Sequence, residues 1–308
     1  MELSKGVYSE PEETLLTTRA FNYLSAGPAD VVDLIGHICS LPGAPRIVAE
    51  HMAHAMFAGR PQFMRNADGR WTLADLSTNP YEASRKRSRF AGHWSDEPLN
   101  AMSYVVVDTE TTGGRSWLGD RITEIAAVVV RNGKIVEVYE TLVNPQRPIP
   151  PFVTALTNIT WDMVKDAPTF DRVAPEVMRV LEGNVFVAHN ATFDWRFLTT
   201  ELSRSTGRQL RGRRLCTVKI ARKVLPQLPR RSLDYVARYY GIEIRNRHRA
   251  GGDALATAKC LIRLMSDLAD RGCGTWGELQ TLLRAPAARR KKRRPSGLPT
   301  PVTRDTTA

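Results

Sequence analysis

Three stretches far apart in the chain, Asp108-Thr109-Glu110, Asn190-Ala191-Thr192-Phe193-Asp194 and His248-Arg249-Ala250-Gly251-Gly252-Asp253, hold four carboxylates and a histidine that could do chemistry together. If a fold gathers Asp108, Glu110, Asp194 and Asp253 into one pocket, they repel one another unless cations fill it. Hard divalent ions with oxygen ligands, Mg2+ or Mn2+, suit four carboxylates and no thiolate. The cysteines Cys39, Cys216, Cys260 and Cys273 show no metal-ligand spacing. His248 beside such a pocket is the natural proton acceptor for a metal-assisted hydrolysis. Taken singly, each residue has a plainer role. Asp194 and Asp253 could cap helices, and His248, between two arginines, could be a surface histidine. His189 and Asn190 read first as fixing the turn before Asp194. Five separate plain explanations, in this order along the chain, fit less well than one shared site.

The elements that must position these groups are legible. Tyr104-Val105-Val106-Val107 is a continuous apolar run, as in a central strand buried on both faces. Asp108 follows directly, and two-residue periodicity puts Glu110 on the same face. Thr109, Thr111, Thr112 and Gly113 leave the strand in a turn whose backbone can approach a ligand closely. Val185-Phe186-Val187-Ala188 is a second strand, with Asp194 opening the helix beyond it. His248 falls in a loop, and Asp253 starts a helix to about Asp270 with Leu255, Ala258, Leu261, Ile262, Met265 and Leu268 as its inward stripe.

From about Met102 to Leu268 the chain resembles the DnaQ-like (DEDDh) 3′–5′ exonucleases, the group that includes the proofreading epsilon subunit of bacterial DNA polymerase III. The matching blocks are Asp108-x-Glu110-Thr-Thr-Gly113, Ile122-Thr-Glu124-Ile-Ala-Ala-Val128 and Val187-Ala-His189-Asn190-Ala-x-Phe193-Asp194. Leu215-Cys-Thr217 with Ala221-Arg222, Ser232-Leu233-Asp234 and His248-Arg-Ala-x-x-Asp253-Ala254 follow in order. The resemblance implies Asp108, Glu110 and Asp253 on one metal ion, Asp108 and Asp194 on a second, and His248 as the general base. Two ions about 4 Å apart would serve an in-line displacement that releases nucleoside 5′-monophosphates. The segment Leu156-Thr157-Asn158-Ile159-Thr160 resembles the part that meets the terminal nucleotide, where family members commonly carry glycine in place of Asn158. Asparagine tolerates the left-handed conformation better than most residues. Substrate contacts are therefore expected from Thr109, Thr111, Thr112, Leu156, Thr157, Asn158 and Asn190.

The implied fold is α/β, a ribonuclease H-like mixed five-stranded sheet flanked by helices. Its first three strands, Ser103–Val107, Ile122–Val130 and Lys134–Val143, are antiparallel neighbours by their short connections. Helices over Phe170–Glu182, Phe193–Ser205, Cys216–Lys223 and Leu233–Tyr240 cover it.

A chain of 308 residues is long for one core, so a second small domain is expected. Residues 1–78 read as a winged-helix-like unit. Helices over Glu12–Ser25 (Leu15, Leu16, Ala20, Phe21 and Leu24 inward), Asp30–Ser40 (Val31, Leu34, Ile35 and Ile38 inward) and Pro45–Ala58 lead to a hairpin turning at Asp68-Gly69. Its third helix offers Arg46, Glu50, His51 and His54, and Arg60, Arg65 and Arg70 lie near the hairpin, so DNA contact, protein contact and a structural role all stay open. Residues 79–100 read as a basic linker in which Arg85, Lys86 and Arg87 can touch a nucleic-acid backbone while Phe90 and Trp94 stack on bases. The exonuclease-like domain spans 101–272, and a short helix with Trp276, Leu279, Leu282 and Leu283 packing back spans 273–283.

The net charge of +12 is uneven: residues 284–308 hold eight Lys/Arg against Asp305, a balance of +7 that leaves +5 for the rest. This Pro-, Thr- and Ala-rich tail reads as disordered, with Arg289, Arg290, Lys291, Lys292, Arg293 and Arg294 as a salt-sensitive phosphate tether or simply a solubilising appendage. No apolar run reaches 18 residues and no signal-peptide pattern opens the chain, so a cytoplasmic, nucleoid-associated protein without membrane contact is expected. The readings in play are a DNA 3′–5′ exonuclease for proofreading or repair, an exoribonuclease using the same chemistry, and a DNA-binding adaptor with secondary nuclease activity. The first implies single-stranded 3′ ends and a polymerase or repair protein as partners.

Overall fold

The computed structural model describes residues 6–74 and 96–285. The tether candidates Arg85, Lys86, Arg87 and Arg289 through Arg294 lie outside the described residues, as do Phe90 and Trp94.

The chain opens with a short strand, β1 (Tyr8–Pro11), then α1 (Leu15–Leu24), α2 (Val31–Cys39), α3 (Arg46–Phe57) and a hairpin of β2 (Phe63–Arg65) and β3 (Trp71–Leu73). Thr14 starts α1 with a capping box shared with Thr17, satisfying backbone N–H groups that the first turn leaves unpaired. Val31, Leu34, Ile35 and Ile38 are buried as their spacing requires, and Phe57 stacks on Phe63 with ring centroids 4.4 Å apart. The expected stripe on α1 is narrower than the sequence suggests. Ala20 and Leu24 face the core, whereas Leu15 and Phe21 are exposed. Two arginines counted toward a DNA-facing charge are already paired, Arg46 with Asp30 and Glu50, and Arg65 with Glu50.

The boundary drawn at residue 78 splits the chain differently from its contacts. β1 pairs antiparallel with a strand at Arg208–Arg211 in the larger body, Tyr8 opposite Arg211 and Pro11 opposite Arg208. Val7 is fully buried in that body's core. Residues 7–11 thus belong by contact to the domain they precede by some hundred positions.

That body continues with β4 (Ser103–Thr111), β5 (Ile122–Arg131), β6 (Lys134–Leu142), α4 (Pro151–Thr157), α5 (Trp161–Val164), α6 (Phe170–Leu181), β7 (Val185–Ala188) and α7 (Thr192–Thr206). Then come β8 (Arg208–Arg211), β9 (Arg214–Cys216), α8 (Thr217–Val224), α9 (Leu233–Tyr239), α10 (Ala250–Ala269) and α11 (Trp276–Arg284). The main sheet has the order β6-β5-β4-β7-β9; β5 runs antiparallel to β4 and β6, while β7 lies parallel to β4 and β9 parallel to β7. This is the ribonuclease H-like mixed sheet that the motifs imply. The fifth strand, Arg214–Cys216, takes Cys216 out of the helix expected there and makes it the N-cap residue of α8.

Period two along β4 and β5 divides the core between the two faces. Tyr104, Val106, Ala126 and Val128 pack with Ala254, Ala258, Leu261 and Leu264 of α10 on one side. Val105, Val107, Ile125 and Val129 pack with Val177 of α6 and Phe197, Leu198 and Leu202 of α7 on the other. β4, covered on both faces, is therefore apolar from Tyr104 to Val107, up to Asp108. On α10 the buried seam is rotated from the expected one: Leu255, Ile262 and Met265 are partly buried, while Ala254, Ala258, Leu261, Leu264 and Leu268 are fully so. Small residues on this face let the helix lie close to the sheet. Leu279 of α11 is fully buried against this core, with Trp276, Leu282 and Leu283 packed on it. Among the described residues no helix is long and apolar enough to cross a membrane.

Candidate active site

β4 brings Asp108 and Glu110 to the end of a central strand, alternate residues on one face. α7 and α10 begin nearby and contribute Asp194 and Asp253 from their first turns. One carboxylate oxygen from each of Asp108, Glu110 and Asp253 lies within 4.8 Å of the others. Asp194 flanks this trio. Its Oδ1 accepts hydrogen bonds from the Thr109 backbone N–H (3.1 Å) and the Thr109 hydroxyl (2.9 Å). Neither Asp194 nor Asp253 caps its helix, since no side-chain cap bond forms at either start.

Gathering four carboxylates in a partly enclosed site shifts each of them upward. Burial, then the neighbouring Asp194, Glu110 and Asp253, push the Asp108 carboxyl well above the usual range. Burial and Asp253 raise Glu110 to about 8, and burial raises Asp194 to about 7 against the lowering effect of the Thr109 hydrogen bonds. Asp253 is raised by burial, with the Arg247 guanidinium opposing. Among the described residues the buried Oδ1 of Asp253 has no hydrogen-bond partner, an arrangement that is unfavourable unless something else meets that oxygen. An all-oxygen donor set with an orphaned buried oxygen fits a divalent cation.

His248 stands in the loop entering α10 at φ 63°, in the left-handed region, and its backbone N–H donates to Asp253 Oδ2 at 3.3 Å. The loop is pinned from both sides. Arg247 bonds Asp234 (2.9 Å) and also Asp253 Oδ2. Arg249 Nε lies 3.1 Å from both oxygens of Glu124, which is buried in β5, and Glu124 also accepts the Ala250 N–H at 2.8 Å. Gly251 and Gly252 permit this seat: a Cβ at Gly251 would lie 2.1 Å from Glu140 Oε2, and one at Gly252 2.0 Å from the Arg245 carbonyl. The Gly-Gly pair ahead of Asp253 thus has a steric reason.

Glu124, Arg247 and Arg249 hold roles that the sequence motifs alone do not assign, although Glu124 sits in a matched block. The available signal is a lone carboxylate within the apolar run Ile122–Val130, which a fold tolerates only if the charge is paired.

His189 is structural, as expected. It is held between the Thr217 hydroxyl (2.8 Å from Nδ1) and the Arg231 carbonyl (2.9 Å from Nε2), and burial lowers it to about 4. A carbonyl facing Nε2 requires the proton there, so Nδ1 accepts. Asn190 is at φ 79° in the turn before α7 and is exposed.

The threonines expected at the substrate mainly build turns. The Thr111 hydroxyl donates to the Gly113 carbonyl (2.6 Å), Thr112 accepts from the Arg121 N–H (3.0 Å), and Thr157 donates to the Val153 carbonyl (3.0 Å). Asn158 ends α4 at φ 58°, the left-handed position for which the family's glycine is suited. Leu156 is exposed and free to contact a ligand.

Comparison with known proteins agrees with this geometry. The exonuclease (RNase T) family model matches residues 105–261. DNA polymerase III PolC-type of Caldanaerobacter subterraneus subsp. tengcongensis is 39% identical over 180 residues, covering 58% of this chain and 13% of the relative. A DNA polymerase III subunit epsilon-like protein of Rhodobacter capsulatus is 41% identical over 194 residues, covering 62% of this chain and 27% of the relative. The chain thus spans less than a third of the length of these curated relatives. Among solved structures, exonuclease X in complex with 5′ overhanging duplex DNA shares 33% identity over 53% of this chain and 91% of its own, with a TM-score of 0.44. The matched block contains all four carboxylates, the histidine and the sheet that positions them, and the chain belongs to the RNase T exonuclease family, DEDDh group.

Proposed function

We propose that this protein is a metal-dependent 3′–5′ exonuclease acting on single-stranded DNA ends in proofreading or repair. The observation that carries the reading is the convergence of Asp108, Glu110 and Asp253 within 4.8 Å, with an unpartnered buried oxygen on Asp253. Asp108, Glu110 and Asp253 would hold one divalent cation, and Asp108 with Asp194 a second. Mg2+ or Mn2+ suits the oxygen donors, and when bound such ions lower the pKa of water and offset charge on a phosphoryl group. Thr109 keeps one oxygen of Asp194 occupied and so fixes how that carboxylate is presented. His248 takes the proton of the attacking water, in a loop that Glu124 and Arg249 hold to the sheet. Leu156 and the turn at Asn158 meet the terminal nucleotide, with Thr109, Thr111, Thr112, Thr157 and Asn190 shaping the surrounding backbone.

DNA is preferred over RNA because relatives named as DNA polymerase III proteins match 58% and 62% of this chain. A polymerase or repair protein would be the partner, and the basic segments at Arg85-Lys86-Arg87 and Arg289 to Arg294 would tether phosphates. Three helices and a hairpin support a winged-helix reading of the N-terminal unit, but the pairing of Arg46 and Arg65 removes charge from its DNA-facing side. Single-stranded DNA and RNA, each labelled at the 5′ end, should be offered side by side with Mg2+, Mn2+ or chelator. Stepwise shortening of DNA with release of 5′-monophosphates, abolished in chelator, is expected. Faster shortening of RNA would make the protein an exoribonuclease.

A further inference from the structure

Trp117 is exposed to 62% and Leu118 to 64%, an uncommon placement for two large apolar neighbours. They sit in a single 3-10 turn, Ser116–Leu118, seven residues beyond Glu110 on the chain that leaves the catalytic strand. This turn is firmly built. Arg196 Nη2 donates to the Gly114 carbonyl at 2.9 Å, and Thr200 Oγ1 bonds Ser116 Oγ at 3.1 Å. The Arg196 guanidinium lies over the Trp117 ring, 4.6 Å from its centroid, and 5.9 Å from the centroid of Phe193. Asp120 accepts the Arg115 N–H at 2.9 Å, and Arg147 bonds the Gly119 carbonyl and Asp120, tying the turn to the segment before α4. An indole left in water while its backbone and one flank are held in place is suited to a partner with a flat apolar face.

Charge narrows the choice. Among the described residues neither Arg115 nor Arg196 forms an ion pair with a carboxylate. The Arg196 guanidinium on the ring and Arg115, exposed two residues before it in the chain, are therefore free of acidic partners among the described residues, complementary to phosphodiesters rather than to an acid-poor apolar protein face. The turn leaves the strand that carries Asp108 and Glu110 and bonds the helix that carries Asp194, which ties the indole to two of the elements that build the carboxylate site. Resting on the nuclease reading above, we infer that Trp117, backed by Arg196, is a stacking site for a nucleobase of the bound single strand, upstream of the nucleotide being removed. Arg115 and Arg196 attract the phosphates on either side of that base.

Stacking of one base on an aromatic ring contributes about 5- to 150-fold in affinity. Binding of a fluorescently labelled thymidine 15-mer to the full chain is measured by anisotropy in chelator, so that no strand is consumed. Trp117→Ala should bind in that range more weakly, while Trp117→Phe, which keeps a ring, should recover most of the affinity. Strands with one abasic residue, moved from the second to the sixth position from the 3′ end, locate the base. At one position the abasic strand should weaken the wild type by the same factor as Trp117→Ala does and leave that variant unaffected. Equal affinity of wild type and Trp117→Ala, or identical abasic penalties in both at every position, would overturn the inference. A strand shortened with Mg2+ by the wild type but bound without help from Trp117 sinks the stacking site alone. A strand bound through Trp117 yet never shortened sinks the nuclease reading alone.

Discussion

Arg249 and Glu124, 125 residues apart in the chain, form an ion pair with Arg249 Nε 3.1 Å from each carboxylate oxygen. Glu124 is buried in the second strand of the sheet, and the same carboxylate accepts the Ala250 N–H. A single side chain thus fixes both the loop of His248 and the start of the helix that carries Asp253. The placement of two functional groups is linked to the register of β5.

Replacing Glu124 by Gln removes the charge while keeping the shape, and leaves Arg249 with a neutral partner. Charged hydrogen bonds contribute about 1.5–3 kcal/mol, and Arg249 is 30% exposed, so a loss of stability near the lower end, about 1–2 kcal/mol, is expected in denaturant unfolding. Turnover should fall about 10- to 100-fold, as for other residues that orient metal-site groups. A variant with wild-type stability and turnover would show that the pair is incidental.

The chelated protein should lose stability as pH rises. Glu110 titrates near 8 in the fold against an ordinary value of 4.5, and Asp194 near 7 against 3.8. Protons bound in the folded state stabilise it fully below the unfolded values, and that contribution disappears as pH climbs through about 7 to 8. Thermal unfolding in chelator should therefore show a lower midpoint at pH 8.5 than at pH 5.5, and Glu110→Gln should flatten the difference. Mn2+ should raise the midpoint more at the higher pH. A wild-type profile as flat as that of Glu110→Gln would contradict the electrostatics.

His248 occupies a left-handed backbone position, so alanine would add strain to the loss of the imidazole. Asparagine accepts that conformation more readily and is the cleaner test. His248→Asn should lose on the order of 10²- to 10⁴-fold in turnover, the usual contribution of a positioned base, with substrate affinity in chelator little changed. Retained turnover with weakened affinity would make His248 a phosphate contact.

Much of this site is legible in the sequence because its chemistry follows strand and helix ends. The apolar run before Asp108 and the alternation to Glu110 require only a buried strand and a two-residue period. The mixed sheet follows from short connections and the matched blocks. What stays hidden depends on tertiary packing. Nothing local in Tyr8–Pro11 marks a strand whose partner, Arg208–Arg211, lies two hundred residues away. Leu15 and Phe21 satisfy helical periodicity yet face outward, because the small unit's core is filled from α2, α3 and the hairpin. The local bonds that the hydroxyls of Thr111, Thr112 and Thr157 make, to the Gly113 carbonyl, from the Arg121 N–H and to the Val153 carbonyl, likewise depend on backbone geometry that no motif announces.

The helix α11 ends at Arg284, with the Ala285 N–H bonded to the Thr281 carbonyl. Truncation after Ala285 therefore leaves this helix whole and removes seven Lys/Arg and Asp305. If the tail tethers phosphates, binding to long single strands should weaken, and the log–log salt slope should shrink by about one unit for each phosphate that the tail neutralises. Single-turnover cleavage of saturating short strands should stay within about twofold. An unchanged slope would mean that the tail only solubilises.

The most direct test of the metal site is single-turnover hydrolysis of a 5′-labelled DNA strand by wild type and Asp108→Ala prepared in parallel. Asp108 lies at the centre of the cluster, so its loss removes a donor from both proposed ions while relieving repulsion among the remaining carboxylates. The wild type should shorten the strand only with Mg2+ or Mn2+. Asp108→Ala should shorten none detectably under any condition, and its thermal midpoint in chelator should at least equal that of the wild type. Undiminished shortening by Asp108→Ala, in protein free of other nucleases, would contradict a metal site built on this carboxylate.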